Sequence, residues 1–112
     1  MAIDIALPFY GDVDFMKQTV QSVLNQSDPD WRLFVVDDGY PDESLPGWFA
    51  SLNDPRISYL RNEKNLGANG NFQKCLGLLS AEFCLVMGAD DLLETNFVEV
   101  VHDTIAKYPN AS

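Results

Sequence analysis

Basic residues are scarce in this sequence of 112 residues. It has seven Lys and Arg against seventeen Asp and Glu, which gives a formal net charge of −10 at pH 7. A surface with this charge repels phosphodiester backbones and anionic lipid headgroups. We therefore expect neither nucleic acid nor an anionic membrane surface as a direct partner.

Cysteine and histidine are rare as well. Cys75 and Cys84 both lie within apolar patterns, and His102 is the only histidine. We expect two buried free thiols in a reducing compartment rather than a disulfide scaffold. Two Cys and one His do not make a zinc site. No Ser–His–Asp or Cys–His arrangement emerges, so His102 is expected to be a surface or packed residue.

Long apolar runs are missing, and no run could cross a bilayer. The N-terminus has no basic segment leading into an apolar one, as a secretion signal would. We therefore expect a cytoplasmic location, or the inner face of the cell membrane if parts beyond this sequence bind it. Hydrophobic residues make up 46% of the sequence. The length and this composition predict one globular unit over residues 1–112.

The hydrophobic periodicity alternates between strand and helix. Ile3, Ile5 and Leu7 predict a first strand that stops at Pro8, and apolar runs at 33–36, 57–60 and 83–87 predict three more. The runs at 33–36 and 83–87 are continuous, as in strands that are covered on both faces. Helical spacing predicts helices at 13–24, 45–52, 72–79 and 97–105, with caps at Asp12, Ser44 and Thr95. This β-α-β-α-β-α-β-α order predicts an α/β, doubly wound sheet of mainly parallel strands.

Paired aspartates follow two of these strands. Asp37 and Asp38 follow the second strand, and Asp90 and Asp91 follow the fourth. In such sheets ligands bind beyond the carboxyl ends of the strands. Crowded carboxylates at that edge repel one another, and a hard cation such as Mg²⁺ or Mn²⁺ relieves the repulsion. One pair alone could cap a helix or lie in a solvated turn, but two pairs favour a cation that meets a phosphorylated ligand.

The common phosphate-binding motifs are missing. There is no G-x-x-x-x-G-K-[ST] loop, and no G-x-G-x-x-G follows the first strand. Gly67 and Gly70 precede a predicted helix whose N-terminus could receive an anion, although a plain entry into the helix is simpler. Phe9 and Tyr10 follow the first strand and could face a nucleobase, although Phe9 also suits a core position.

Five segments, taken in order, resemble motifs of glycosyltransferase family 2, in the N-terminal half of its GT-A fold, a Rossmann-like fold. The resemblance covers about Ile3 to Val101. The segments are Leu7 to Tyr10 (the family's P-x-Y), Ser22 to Ser27 (S-V-L-x-Q-[ST]), Val35 to Gly39 (V-V-D-D-G), Arg56 to Gly67 (R-I … R-N-x-x-N-x-G) and Gly88 to Asp91 (D-A-D-D). Each motif alone is common, but their order and gaps together are specific.

The resemblance implies a nucleotide-binding site. Its nucleobase pocket would be lined by Pro8, Phe9 and Tyr10. One aspartate of the Asp37–Asp38 pair, with Asp38 favoured, would accept a hydrogen bond from the base, and Asn65 and Gly67 would join the site. Asp90 would hold the ribose, and Asp90 and Asp91 would bind the Mn²⁺ or Mg²⁺ that bridges the diphosphate.

The function implied by the resemblance is the donor-binding half of an inverting, metal-dependent glycosyltransferase. Such an enzyme transfers a sugar from a nucleotide-diphosphate sugar, most commonly a UDP-sugar, to a hydroxyl of a glycan, lipid or protein acceptor. Gly88 replaces the first Asp of the family's D-x-D, which leaves open which of Asp90 and Asp91 touches the metal. Nothing after Asp91 matches the family's catalytic base. We therefore expect the acceptor half to be absent, the isolated chain to be inactive, and exposed apolar surface to favour a homodimer.

Two other functions fit parts of the sequence. An acidic receiver domain of the phosphorelay type has this length, charge and α/β pattern. However, it needs an acidic pair after the first strand, where this chain has Pro8 to Tyr10. A non-catalytic nucleotide-binding module also fits, because no catalytic base is identified.

Overall fold

The computed structural model describes residues 3–79, 84–87 and 95–107. Within these residues the strands are β1 (Ile3–Phe9), β2 (Trp31–Asp37), β3 (Ile57–Arg61) and β4 (Cys84–Val86). The helices are α1 (Val13–Leu24), α2 (Leu45–Leu52), α3 (Gly67–Leu78) and α4 (Phe97–Lys107). None of these helices is long and apolar enough to cross a membrane. The predicted α/β class and the predicted order of elements are confirmed.

All strand pairs are parallel, and the strands lie in the order β3-β2-β1-β4. The chain moves outward from β1 to β3 and then returns to the other side of β1. Right-handed crossovers therefore place α1 and α2 on one face of the sheet and α3 on the other. The strand order reverses between β1 and β4, which is where ligands bind in such sheets.

The two faces of the sheet carry different cores. The larger core joins one face of β1, β2 and β3 to apolar side chains of α1, α2 and α4, including Met16, Phe49 and Val98. A smaller core of Ala6, Val36 and Cys75 lies under α3. Among the described helices α3 packs on this second face, and its first turn lies beside the carboxyl ends of β1 and β2.

β1 runs through Pro8 to Phe9, so the expectation that it stops at Pro8 is wrong. In a parallel sheet a residue points its N–H and C=O to the same neighbouring strand, and successive residues alternate. The carbonyl of Ala6 accepts from the N–H of Met87 at 3.0 Å, so Pro8 also faces the β4 side. Within the described residues, the pairing between β1 and β4 ends at Ala6. The missing N–H of Pro8 therefore breaks no bond of the described ladder.

One of the three predicted helix caps is confirmed. Asp12 Oδ1 accepts from the N–H of Phe15 at 3.1 Å. Ser44 precedes α2 but makes no capping bond with its side chain, because its Oγ donates to Asp42 Oδ1 at 2.5 Å. At α4 the expectation for Thr95 is wrong as well. There the N–H of Val98 donates to Oε1 of Gln26 at 2.9 Å, so the cap comes from a distant residue.

The loop after α1 holds α4 through further contacts. The N–H of Ser27 donates to the carbonyl of Thr95 at 2.8 Å, and Ser27 Oγ donates to Glu99 Oε2 at 2.9 Å. His102 Nδ1 lies 2.6 Å from Asp28 Oδ2, which helps to lower the pKa of Asp28 after a larger contribution from a backbone N–H. His102 is thus a packed residue, as expected. The stretch that resembles S-V-L-x-Q-[ST] serves here to dock α4.

The two cysteines differ in exposure. Cys75 is buried under α3, and burial raises the pKa of its thiol to about 11. Cys84 is exposed, so the expectation that both thiols are buried is wrong. The reason is topological: β4 is a three-residue strand at the edge of the sheet, and an apolar run on an edge strand is not covered on all sides.

Replacing Gln26 by Ala tests the docking of α4. The variant leaves the buried N–H of Val98 without its acceptor, and loss of a helix cap costs about 0.5–2 kcal/mol. The free energy of unfolding from urea titration should fall by that amount. Gln21→Ala, on the exposed surface of α1, is the matched control. Equal urea midpoints for the two variants would contradict the docking role.

Candidate functional site

A pocket of about 650 Å³ opens at the carboxyl ends of β1 and β2, beside the first turn of α3. Six of the residues predicted to bind a nucleotide line it: Pro8, Phe9, Tyr10, Asp38, Asn65 and Gly67. The other lining residues are Ala68, Asn69, Asn71 and Phe72. The structure thus brings together residues from β1, from the end of β2 and from the entrance of α3.

Asp38 is the polar centre of this pocket, although its side chain is 98% buried in the protein. Its Oδ1 accepts from the N–H of Leu66 at 2.7 Å and from Nδ2 of Asn62 at 2.8 Å. Its Oδ2 accepts from the N–H of Gly67 at 3.0 Å. Hydrogen bonds to a charged acceptor are stronger than neutral ones. The carboxylate therefore holds the β3–α3 loop against the end of β2.

Asn65 and Gly67 form the turn that this carboxylate holds. Asn65 Nδ2 donates to the backbone carbonyl of Asp38 at 3.1 Å, and its Oδ1 accepts from the N–H of Gly67 at 2.9 Å. Gly67 has φ of +80°, a conformation that strains residues with a Cβ. The local structure at the start of α3 therefore explains why Asn and Gly occupy these two positions.

Aromatic side chains form the opposite wall. Phe9 is almost completely buried and belongs to the larger core, so its ring contributes mainly to packing. Tyr10 is 57% exposed. The rings of both lie 5.3 Å, centroid to centroid, from the ring of Tyr40. Tyr10 therefore offers an open aromatic surface on this side of the pocket, and Phe9 and Tyr40 support it.

Asp37 does not line this pocket. Successive residues of a strand point to opposite faces, so Asp37 faces the larger core while Asp38 faces α3. The buried carboxylate of Asp37 accepts from the N–H of Tyr40 at 2.8 Å and from the hydroxyl of Tyr59 at 2.5 Å, and Arg61 Nε lies 3.9 Å away. Burial and the bond to Asp37 raise the pKa of Tyr59, so its hydroxyl remains a donor.

Three polar residues beside the pocket are not among the predicted site residues, although Asn62 belongs to the R-N-x-x-N-x-G segment. Asn62 and Asn71 are both buried, and Asn71 Oδ1 accepts from Asn62 Nδ2 at 3.0 Å. Lys74 Nζ donates to Asn62 Oδ1 at 2.5 Å. The available signal was the helical spacing, since Asn71 lies four residues before the buried Cys75 and so shares its face.

Asp90 and Asp91 lie outside the described residues. Met87 precedes them by three and four residues, and its N–H donates to the carbonyl of Ala6, two residues before Pro8. Within the described residues, no three Asp, Glu, His or Cys side chains are placed to hold a metal ion.

Comparisons with known proteins match the chain to one family. The family model described as "Glycosyl transferase family 2" matches residues 4–112. The UDP-Glc:alpha-D-GlcNAc-diphosphoundecaprenol beta-1,3-glucosyltransferase WfgD of Escherichia coli is 31% identical over 100 residues, which cover 88% of this chain and 38% of that protein. The chain spans about a third of the length of the curated relatives that it matches.

Two solved structures share the fold. The structure of S. aureus TarS 1–349 in complex with UDP-GlcNAc has a TM-score of 0.85 at 20% identity and covers 97% of this chain and 32% of that one. Mannosyltransferase PcManGT from Pyrobaculum calidifontis, in complex with GDP-Man and Mn²⁺, has a TM-score of 0.75 at 14% identity and covers 93% of this chain and 32% of that one. The fold is therefore the GT-A fold. The match of the family model over nearly the whole sequence shows that the chain belongs to glycosyl transferase family 2.

Proposed function

We propose that this chain is the donor-binding part of an inverting, metal-dependent glycosyltransferase that uses a nucleoside-diphosphate sugar, with UDP-sugars favoured. The observation that carries the proposal is the pocket in which Asp38, Tyr10 and the Asn65–Gly67 turn meet at the carboxyl edge of the sheet. Its volume of about 650 Å³ lies within the range of small-molecule sites. Family membership leaves the receiver-domain alternative without support.

The walls of the pocket suit a nucleobase. Tyr10 offers an exposed ring for stacking, and base–aromatic stacking contributes about 1–3 kcal/mol. Asp38 offers a carboxylate oxygen, which accepts hydrogen bonds when ionised. Uracil carries a ring N–H that can donate a hydrogen bond to such an oxygen. The UDP-Glc in the name of WfgD and the UDP-GlcNAc bound by TarS agree with this choice of base.

The diphosphate and the metal belong to the neighbouring edge in this proposal. Asp90 and Asp91 follow Met87 by three and four residues, and Met87 lies beside β1 near the pocket. Carboxylate oxygens are the ligand type that Mg²⁺ and Mn²⁺ prefer, so the donor set of this pair suits such an ion. When bound, the ion neutralises charge on the leaving diphosphate. The Mn²⁺ in the PcManGT complex supports the same assignment.

The general base lies outside this chain in the proposal. An inverting transfer needs a base that takes the proton of the acceptor hydroxyl as its oxygen attacks the anomeric carbon. Glu99 and Asp103, the acidic residues that follow Glu94, are exposed on α4. Glu99 accepts from Ser27, so its role is to dock the helix. In this proposal the chain binds the donor in the pocket and supports the leaving group through Asp90 and Asp91.

Asp38→Asn tests the base contact. The variant replaces one acceptor oxygen with an NH₂ donor, and UDP binding should weaken by roughly 1.5–3 kcal/mol, the scale of a hydrogen bond to a charged group. Isothermal titration with UDP measures the change in affinity. The control is Glu63→Gln, which also replaces a carboxylate by an amide but at an exposed position. Asp38→Ala should weaken binding at least as much. Full affinity in both Asp38 variants would remove the base-binding role from Asp38.

The metal assignment is tested by the double variant Asp90→Asn, Asp91→Asn. If this pair binds the ion, Mn²⁺ should raise the UDP affinity of the unmodified chain but not that of the variant, because amide groups carry no charge to offset the cation. The affinity for UDP in EDTA should be similar for both proteins. An equal response to Mn²⁺ in the variant would refute the assignment.

The isolated chain should bind nucleotide but transfer no sugar. General-base help is worth roughly 10²–10⁴-fold in rate, and acceptor orientation contributes comparably or more. Release of nucleoside diphosphate from a panel of nucleotide sugars, with Mn²⁺ and simple acceptors, measures turnover. Turnover well above hydrolysis would place the base within these residues.

Gel filtration would test the homodimer, for which the exposed Leu66, Phe72 and Leu76 offer apolar surface.

A further inference from the structure

We propose that Asn62 and Asn71 form an amide relay that orients the Asp38 carboxylate and thereby sets which nucleobase the pocket accepts. This inference rests on the proposed function, because it concerns the base contact of Asp38. The relay connects β2, the residue after β3, and α3 through buried side chains. Asn71 lies outside the quoted motifs of the family, and Asn62 lies within one of them without an assigned role.

The direction of every hydrogen bond in the relay is fixed by its two ends. Asn71 Nδ2 donates to the backbone carbonyl of Val36 at 3.0 Å, and that carbonyl can only accept. Asn71 Oδ1 must then face Asn62, whose Nδ2 donates to it at 3.0 Å. At the other end, Asn62 Oδ1 accepts from Lys74 Nζ, an ammonium group that can only donate. A flip of either amide would set donor against donor or acceptor against acceptor.

The relay fixes the hydrogen bonds of Asp38 as well. An amide NH₂ has two hydrogens, and Asn62 gives one to Asn71 and the other to Asp38 Oδ1. Oδ1 also accepts from the N–H of Leu66, so two donors occupy it, whereas Oδ2 accepts from the N–H of Gly67. A carboxylate oxygen has about two acceptor sites. Among the described residues, Oδ2 is therefore the oxygen with an acceptor site left for a ligand.

An acceptor held in a fixed direction discriminates between nucleobases. Uracil and guanine present a ring N–H on their pairing edge, whereas cytosine and adenine present a ring nitrogen that accepts. An acceptor facing an acceptor leaves both unsatisfied in a desolvated site, which is costly. Asn62 and Asn71 are positioning residues in this account, since they act on the base through Asp38. Loss of the relay should let the carboxylate rotate and reduce the preference for UDP over CDP.

The experiment measures the ratio of the dissociation constants for CDP and UDP by isothermal titration. We expect the unmodified chain to favour UDP by about tenfold or more, since one unsatisfied polar pair costs about that in affinity. Asn62→Asp sets a second carboxylate against Asp38, and Asn71→Ala removes the support of Asn62. Both variants should bring the ratio to within about threefold of one. A general loss of folded protein would instead weaken the binding of both nucleotides equally and leave the ratio unchanged.

Two further variants test the other end of the relay and provide a control. Lys74→Met removes the ammonium that fixes the Asn62 amide, and Lys74 is exposed, so the fold should survive and the ratio should fall severalfold. Gln73→Glu makes an amide-to-acid change on the exposed side of the same helix and should leave the ratio intact. Thermal melting reports the folded fraction of each variant.

The outcomes separate this inference from the proposed function. If the unmodified chain binds UDP no better than CDP, the base contact of Asp38 fails and the relay fails with it. If the unmodified chain prefers UDP and Asp38→Ala abolishes that preference, the base contact stands. The relay alone is then overturned if the Asn62, Asn71 and Lys74 variants all keep the original ratio.

Discussion

The carboxylate of Asp38 is the junction on which the pocket depends. Two backbone N–H groups of the β3–α3 loop and one buried side-chain amide converge on it. These donors come from segments that follow Asp38 by more than twenty residues, so the carboxylate defines how the loop meets the sheet. Unpaired, a buried carboxylate would be expensive, and this surrounding set of donors offsets the cost of burying it. The entrance to α3 is held in place by the same bonds.

The neighbouring Asp37 shows how one step along a strand divides two roles. Its carboxylate faces the larger core and binds Tyr40 and Tyr59, so it fixes the loop after β2 from the side of that core. Asp38 faces α3 and reaches the pocket. A pair of adjacent carboxylates reads as one acidic feature in a sequence, yet alternation along the strand gives them opposite surroundings. This is why the sequence alone did not decide which aspartate of the pair lines the pocket.

Periodicity was enough to predict the elements and their order, because each apolar stripe must be buried against another layer. It was less informative where tertiary contacts decide. The cap of α4 comes from Gln26, which is 72 residues away from Val98, and no local pattern near Thr95 reveals it. The exposure of Cys84 follows from its place on an edge strand, which depends on the strand order. Asn71 was missed, and Asn62 was matched to a motif without a role, because short-range motifs do not reveal which side chains support one another in the fold.

Pro8 limits how far the sheet can grow. Beyond Ala6, the side of β1 that faces β4 has a proline where a pairing strand would need a donor. A strand that tried to extend the ladder there would leave one of its own carbonyls without a partner. The edge beside the pocket is therefore protected against pairing with other chains, a hazard that exposed strand edges usually carry.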